Sequence, residues 1–178
     1  LLDRVTMRVD NGENVDVIYL DFAKAFDKVP HQRLMQKLKS HGIQGKLWDW
    51  IAAWLNNRSQ RVCMQGHTSG WRPVMSGVPQ GSVLGPVLFL IFINDIDCGI
   101  MNWILKFADD TKLFGPVPDL VAKEQLQKDL NRLVQWSMDW QMEFNTDKCK
   151  VMHIGKENPG FKYFMNGKEL QSIASEKD

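Results

Sequence analysis

Trp103-Ile104-Leu105-Lys106-Phe107-Ala108-Asp109-Asp110-Thr111-Lys112-Leu113-Phe114 is the stretch whose reading decides the fold. Two short apolar runs, 103–107 and 111–114, have the composition of strands. Asp109-Asp110 lies between them, at a separation that suits a tight hairpin. Adjacent carboxylates repel each other and break the apolar pattern. Taken alone, the dipeptide has an ordinary reading, because Asp caps its own backbone in turns.

Working outward, Pro118-Asp119 starts a long amphipathic helix with Leu126, Leu130, Leu133 and Trp140 on one face. On the other side, 87–96 reads as a buried helix with Pro86 near its first turn. The run 15–20 is a buried strand. Before it, Leu1, Val5 and Val9 mark the tail of a helix that Asn11-Gly12 stops. Pro30 precedes a helix over 31–40 with Leu34, Met35 and Leu38 inward and Gly42 as its cap. A second amphipathic helix covers 46–55. Segments 61–65 and 71–74 flank a Gly/Ser/Thr turn and read as a hairpin. Segment 150–154 is a last strand, and Asn166-Gly167 signals a further hairpin. The order predicts an α+β fold: a small antiparallel-rich sheet backed by helices.

Composition narrows the class. The chain has 178 residues, with 44% hydrophobic and 24% charged, which excludes disorder and fibrous repeats. With 22 Lys plus Arg against 21 Asp plus Glu, the net charge of +1 announces no nucleic-acid partner and forbids none, since local patches suffice. Cys63, Cys98 and Cys149 are far apart and form neither a disulfide framework nor a metal-ligand pair. A reducing location, nuclear and cytoplasmic, is expected. The longest apolar run, 87–93, is far short of the roughly 20 residues that span a bilayer, so no membrane partner is expected. Leu1 opens the chain and both ends fall inside patterned sequence, so it reads as a piece of a longer polypeptide.

Asp21 changes the reading of Asp109 and Asp110. It ends the strand Val17-Ile18-Tyr19-Leu20, where a carboxylate faces a cleft beside the hairpin. Three such acids suit hard divalent cations, since Mg²⁺ takes oxygen ligands and keeps water and phosphates in its shell. N-capping of the following segment is the other reading of Asp21, and a strand-end Asp serves both. Asp16, Asp27, Asp95 and Asp97 are expected to be solvated or ion-paired. The loop Ser76-Gly77-Val78-Pro79-Gln80-Gly81-Ser82 has glycines that let backbone approach a ligand.

Together these segments resemble reverse transcriptases. Asp21-Phe22-Ala23-Lys24-Ala25-Phe26-Asp27 looks like their first acidic motif. The loop 76–82, with Val83-Leu84-Gly85-Pro86, is similar to their template- and nucleotide-contacting loop. Phe107-Ala108-Asp109-Asp110 looks like their metal-binding hairpin, and Phe144-Asn145-Thr146-Asp147-Lys148-Cys149 resembles the lysine motif that follows. The wording of the loop, with Ile93-Asn94-Asp95-Ile96 after it, points to non-LTR, LINE-type and jockey-like retrotransposons.

The resemblance implies a polymerase palm over 1–178, with 1–14 ending a fingers-side helix, 156–178 opening the connection to the thumb, and fingers and thumb mostly absent. It implies an RNA template, a DNA primer and dNTP as partners, and two Mg²⁺ ions, with Mn²⁺ as substitute. Asp21 and Asp109 would ligate the metals, with Asp110 contributing more weakly and Phe22 offering its carbonyl. Phe26 would exclude a 2′-hydroxyl, Gln80 and Gly81 would position nucleotide and template, and Lys148 would approach the departing pyrophosphate. Plain core packing against Leu34 or Leu38 is the other reading of Phe26. The alternative for the whole chain is a non-catalytic nucleic-acid-binding relic of a retroelement, with Trp103, Phe107 and Phe114 as stacking aromatics.

Overall fold

The computed structural model describes residues 1–175. The expected thumb connection over 156–178 therefore runs past the described residues at 176–178. In chain order the elements are α1 (Leu2–Asp10), β1 (Val15–Leu20), α2 (Ala25–Lys28), α3 (His31–Ser40), α4 (Lys46–Leu55), β2 (Ser59–Gln60), β3 (Cys63–Met64), β4 (His67–Thr68), β5 (Arg72–Pro73), α5 (Leu84–Ile93), β6 (Trp103–Phe107), β7 (Asp110–Pro116), α6 (Leu120–Trp140), β8 (Lys150–Ile154), β9 (Phe164–Met165), β10 (Lys168–Glu169) and β11 (Gln171–Ile173). They form two compact units.

The first unit takes Leu1–Ala23, Asp95–Asp139 and the chain from Glu143 on. Its centre is a five-stranded sheet in the order β11-β8-β1-β7-β6. The neighbours are antiparallel except β11, which runs parallel to β8, so 150–154 is not the last strand. β1 is central because it is apolar toward both faces. Val15 and Val17 pack with Phe114 and with Val5 of α1. Ile18, opposite Leu113 and Val151, is fully buried on the other face. Trp103 and Phe114 belong to this packing, with Phe114 only 3% exposed and the Arg8 guanidinium 4.6 Å over the Trp103 ring. Neither ring is a free platform for bases. In α6, Asp119 caps the start by accepting from the Ala122 amide at 2.8 Å, and Leu126, Leu130 and Leu133 are fully buried.

Two acids depart from expectation. Asp16 is fully buried rather than solvated. Its carboxylate accepts from Tyr163 Oη at 2.6 Å, His153 Nδ1 at 2.7 Å and Asn158 Nδ2 at 2.9 Å. A charge moved out of water needs such donors, and remote segments supply them. Asp95 accepts from the Trp136 indole at 2.9 Å instead of facing solvent alone. Asp97 is exposed and pairs with Lys106 at 3.0 Å, as expected of a surface acid. Asp129 is another buried carboxylate. It receives the amides of Met101 and Asn102 at 3.1 and 2.8 Å and so pins the entry to β6 against α6.

The second unit takes Lys24–Asn94 with Trp140–Met142. In α3, Leu34, Met35 and Leu38 are buried, as the periodicity predicts. Lys37 is buried beside them and donates to the Phe92 carbonyl at 2.6 Å, its ammonium 3.8 Å from the Trp140 ring. α5 starts at Leu84, three residues before the expected 87, and ends at Ile93. Pro86 sits in its first turn, where backbone amides have no intrahelical partner to lose. The hairpin forms with a different register. β3 pairs with β4 around Gln65-Gly66, both with positive φ (49° and 80°), while β2 pairs with β5 below them. Two consecutive positive-φ residues give the turn whose twist matches the strands.

Candidate active site

β1 delivers Asp21 to the end of the sheet. Leu20 pairs with Thr111, so Asp21 follows the last paired residue of β1 and Asp110 precedes Thr111 on β7. Asp21, Asp109 and Asp110 thus gather at one end of the β1–β7 ladder. The hairpin turn itself is Ala108-Asp109, not Asp109-Asp110. Phe107 pairs with Asp110, and Ala108 takes the left-handed conformation at φ 52°. Asp109 and Asp110 are both exposed. Among the described residues no three His, Cys, Asp or Glu side chains stand together as a ready-made metal cage.

Past Leu20 the chain exchanges strand partners. The Asn145 amide donates to the Asp21 carbonyl at 2.7 Å, and the Ala23 amide donates to the Glu143 carbonyl at 2.9 Å. These two bonds make the isolated bridge Phe22–Phe144, whose rings stack at 4.5 Å. The bridge uses the carbonyl of Asp21 and takes no part of the carbonyl of Phe22. The turn that follows, closed by the Lys148 amide on the Asn145 carbonyl at 2.9 Å, brings Lys148 Nζ to 3.7 Å from Asp21 Oδ2. The Asp21 side chain is 40% exposed, so this is a solvated ion pair. The Lys168 ammonium hydrogen-bonds Asp147 and holds its carboxyl below the usual range. Cys149 lies beneath, its Sγ 3.9 Å from the Asp21 carbonyl, and burial pushes its thiol up to about 11.

The donor set fits a hard divalent cation. The carboxylates at this end of the sheet offer the oxygen ligands that Mg²⁺ takes, and Mg²⁺ binds through one or two carboxylates with water completing its shell.

The second unit carries Phe26, Gln80 and Gly81. Phe26 is half-buried, its ring stacked on Phe89 at 4.6 Å. Phe89 is itself fully buried, so the stack ties Phe26 to the core of this unit. The loop 76–82 is stitched to 26–31 by main chain: Val78 N to Phe26 O and Gly77 N to Val29 O, each 2.8 Å, and Ser76 Oγ to Asp27 O at 2.8 Å. A Cβ on Gly77 would meet Asp27 O at 2.6 Å, and its φ is +89°. Gly is required there twice over. Gln80 is exposed and donates to Asp27 Oδ1 at 3.3 Å. Open space faces Gly81.

A cleft of about 610 Å³ adjoins this loop, lined by Lys24, Arg58, Gln60, Pro73 and Gln80 among others. Sequence reading misses Arg58, although a signal exists: the chain has no Asp or Glu between Asp49 and Asp95.

Comparison with known proteins bears on family and fold. The chain is 31% identical over 150 residues to the RNA-directed DNA polymerase from mobile element jockey of Drosophila melanogaster, and 33% identical over 150 residues to that of Drosophila funebris. Each match covers 79% of this chain and 16% of the relative, so the chain spans about a sixth of their length. A probable RNA-directed DNA polymerase from transposon BS of Drosophila melanogaster is 28% identical over 157 residues, covering 83% of this chain and 17% of that protein. Among solved structures, apo telomerase from Candida tropicalis, truncated from its C-terminal domain, superposes with a TM-score of 0.61 at 14% identity. That match covers 95% of this chain and 37% of the telomerase chain, a likeness of fold. The model of the family described as reverse transcriptase (RNA-dependent DNA polymerase) matches residues 4–171. With that match spanning nearly every element described above, the chain belongs to the reverse transcriptase family.

Proposed function

We propose that this chain is the palm segment of an RNA-directed DNA polymerase of a non-LTR retrotransposon. The reaction joins a primer 3′-oxygen to the α-phosphorus of a dNTP, and the bond to pyrophosphate breaks. The observation that carries the reading is the gathering of Asp21, Asp109 and Asp110 at one end of the sheet in a chain of this family.

Asp21 and Asp109 would hold the metal ions, with Asp110 contributing more weakly and the Phe22 carbonyl as an added oxygen. Divalent ions held there would supply charge stabilisation for the attacking and leaving oxygens of the displacement. Lys148 supplies a proton to the departing pyrophosphate, its ammonium within reach of Asp21. Gln80 and the open backbone at Gly81 position template and nucleotide. RNA-templated extension of a DNA primer, by a polymerase carrying this segment, is expected to require Mg²⁺ or Mn²⁺ and to stop on chelation. Extension that persists in EDTA would overturn the reading.

Phe26 serves as the sugar gate, a flat ring beneath C2′ that a ribose hydroxyl overlaps. Its stack on Phe89 holds the ring in place. Phe26→Val is expected to raise ribonucleotide use roughly 10- to 1000-fold while dNTP use changes less. Because the ring is half-buried, the same change should cost about 2 kcal/mol of stability. Single-nucleotide incorporation with matched dNTP and rNTP, alongside a thermal melt, separates the two effects. An unchanged rNTP-to-dNTP ratio in a folded variant removes Phe26 as the gate.

A further inference from the structure

The 58–74 hairpin is unlike the rest of the chain. Over residues 50–94 there is no acid, while Arg58, Arg61 and Arg72 all fall on or beside the hairpin, with His67 near its tip. The net charge of +1 for the whole chain hides this concentration, because the acids lie elsewhere. Residues 50 through 94 supply no carboxylate to offset the three guanidiniums; in the cleft at the hairpin's base Asp27 is accompanied by Lys24, Lys28 and Arg58. Residues 59–73 are exposed throughout.

The hairpin is also apolar where a solvated connector would be polar. Val62 and Met64 are each 69% exposed and Trp71 is 62% exposed. The Arg61 guanidinium lies 4.6 Å over the Trp71 ring. That contact steadies the indole while leaving most of its surface in solvent. Stacked Arg and an exposed aromatic ring form the pairing that binds unpaired bases, and planar guanidinium matches phosphate oxygens in a bidentate fork. At its base the hairpin runs into the cleft of about 610 Å³, where Arg58, Gln60 and Pro73 line the same space as Gln80. One surface thus leads from the hairpin to the glycine loop within the second unit.

We propose that this hairpin and the cleft at its base dock a single-stranded nucleic acid, the unpaired template, through its phosphates on Arg58, Arg61 and Arg72 and through a base on Trp71. The proposal rests on the polymerase reading for the word template, and on charge and exposure for the docking itself. A duplex would satisfy the arginines and leave Trp71 unused, because stacking on an open ring needs an unpaired base.

The test is equilibrium binding of a fluorescein-labelled, unstructured 20-nucleotide RNA to the whole 178-residue chain, without divalent ion, over a range of salt. The variant R58Q/R61Q/R72Q is expected to bind at least about tenfold more weakly. It should also flatten the slope of log K against log salt by about 2, near 0.7 for each phosphate no longer neutralised. Trp71→Ala, which removes no charge, is expected to lower affinity roughly tenfold with the slope unchanged. Thermal melts of both variants should match the parent, since the hairpin side chains lie at the surface. An unchanged slope in a folded R58Q/R61Q/R72Q chain would overturn the docking proposal and leave the polymerase reading untouched. Equal binding of an RNA–DNA duplex, or displacement of the RNA by polyglutamate of equal charge, would also overturn it.

Discussion

Replacing Asp21 by Asn is expected to abolish RNA-templated primer extension while leaving the fold as it was. Asn is isosteric and keeps the main-chain anchor, since the Asn145 amide holds the Asp21 carbonyl and not its side chain. The side chain itself makes a solvated pair with Lys148 at 3.7 Å, and exposed pairs contribute about 0–1 kcal/mol. The catalytic loss should be far larger. Removing a single preorganised donor from a reacting centre already lowers rates by about 10²–10³. A charged metal ligand should exceed the upper end of that range. Single-turnover extension and a thermal melt read the two effects separately. A variant that keeps more than about a tenth of the rate, with an unmoved melt, would remove Asp21 from the chemistry.

The second large effect concerns stability. Asp16→Ala should destabilise the first unit by about 3–5 kcal/mol, the range for removing one partner from a buried ionic cluster. That is a large share of the roughly 5–15 kcal/mol that holds a domain together. The loss comes from what remains. Tyr163 Oη, His153 Nδ1 and Asn158 Nδ2 all donate to Asp16; without it Tyr163 Oη and His153 Nδ1 lose that acceptor, while Asn158 Nδ2 keeps the Val15 and Ile154 carbonyls at 3.4 and 3.3 Å. Burial and the neighbouring carboxylate both push the Tyr163 hydroxyl upward, so it stays a protonated donor at ordinary pH. Tyr163→Phe should then cost less in the Asp16→Ala background than alone, because the hydroxyl has already lost its acceptor. Urea unfolding of the four proteins closes the cycle. Additive losses, or a loss under about 1 kcal/mol, would show that the cluster is not a coupled unit.

Elements whose cause is local are legible in the amino-acid sequence. β1, α3 and α4 have the bounds that apolar runs and periodicity predict, because burial and spacing decide them. The acid-bearing hairpin is legible too, although its turn lies one residue earlier, where Ala108 accepts a left-handed φ. What escapes a reading of the chain depends on partners far along it. Asp16 reads as solvated because nothing near it in sequence announces Tyr163, 147 residues away. The indole that holds Asp95 is equally invisible, 41 residues off. At the candidate site, the acids stand out as interruptions of apolar strands. Arg58 does not stand out, because an arginine in a loop is unremarkable until the absence of acids around it is noticed.

The stitching between loop 76–82 and segment 26–31 has a consequence for how this region tolerates change. Val78, Gly77 and Ser76 bond to the carbonyls of Phe26, Val29 and Asp27, and the His31 ring meets the carbonyl of Gly77 at 2.8 Å. Three of these four bonds reach toward segment 26–29 through its peptide groups alone. The Asp27 side chain joins the seam, since Gln80 Nε2 donates to its carboxylate at 3.3 Å, but the main-chain acceptors depend on the number of residues between them. Inserting or deleting one residue between 26 and 29 changes the spacing of these acceptors and unseats the loop, so it is chain length above all that this junction constrains.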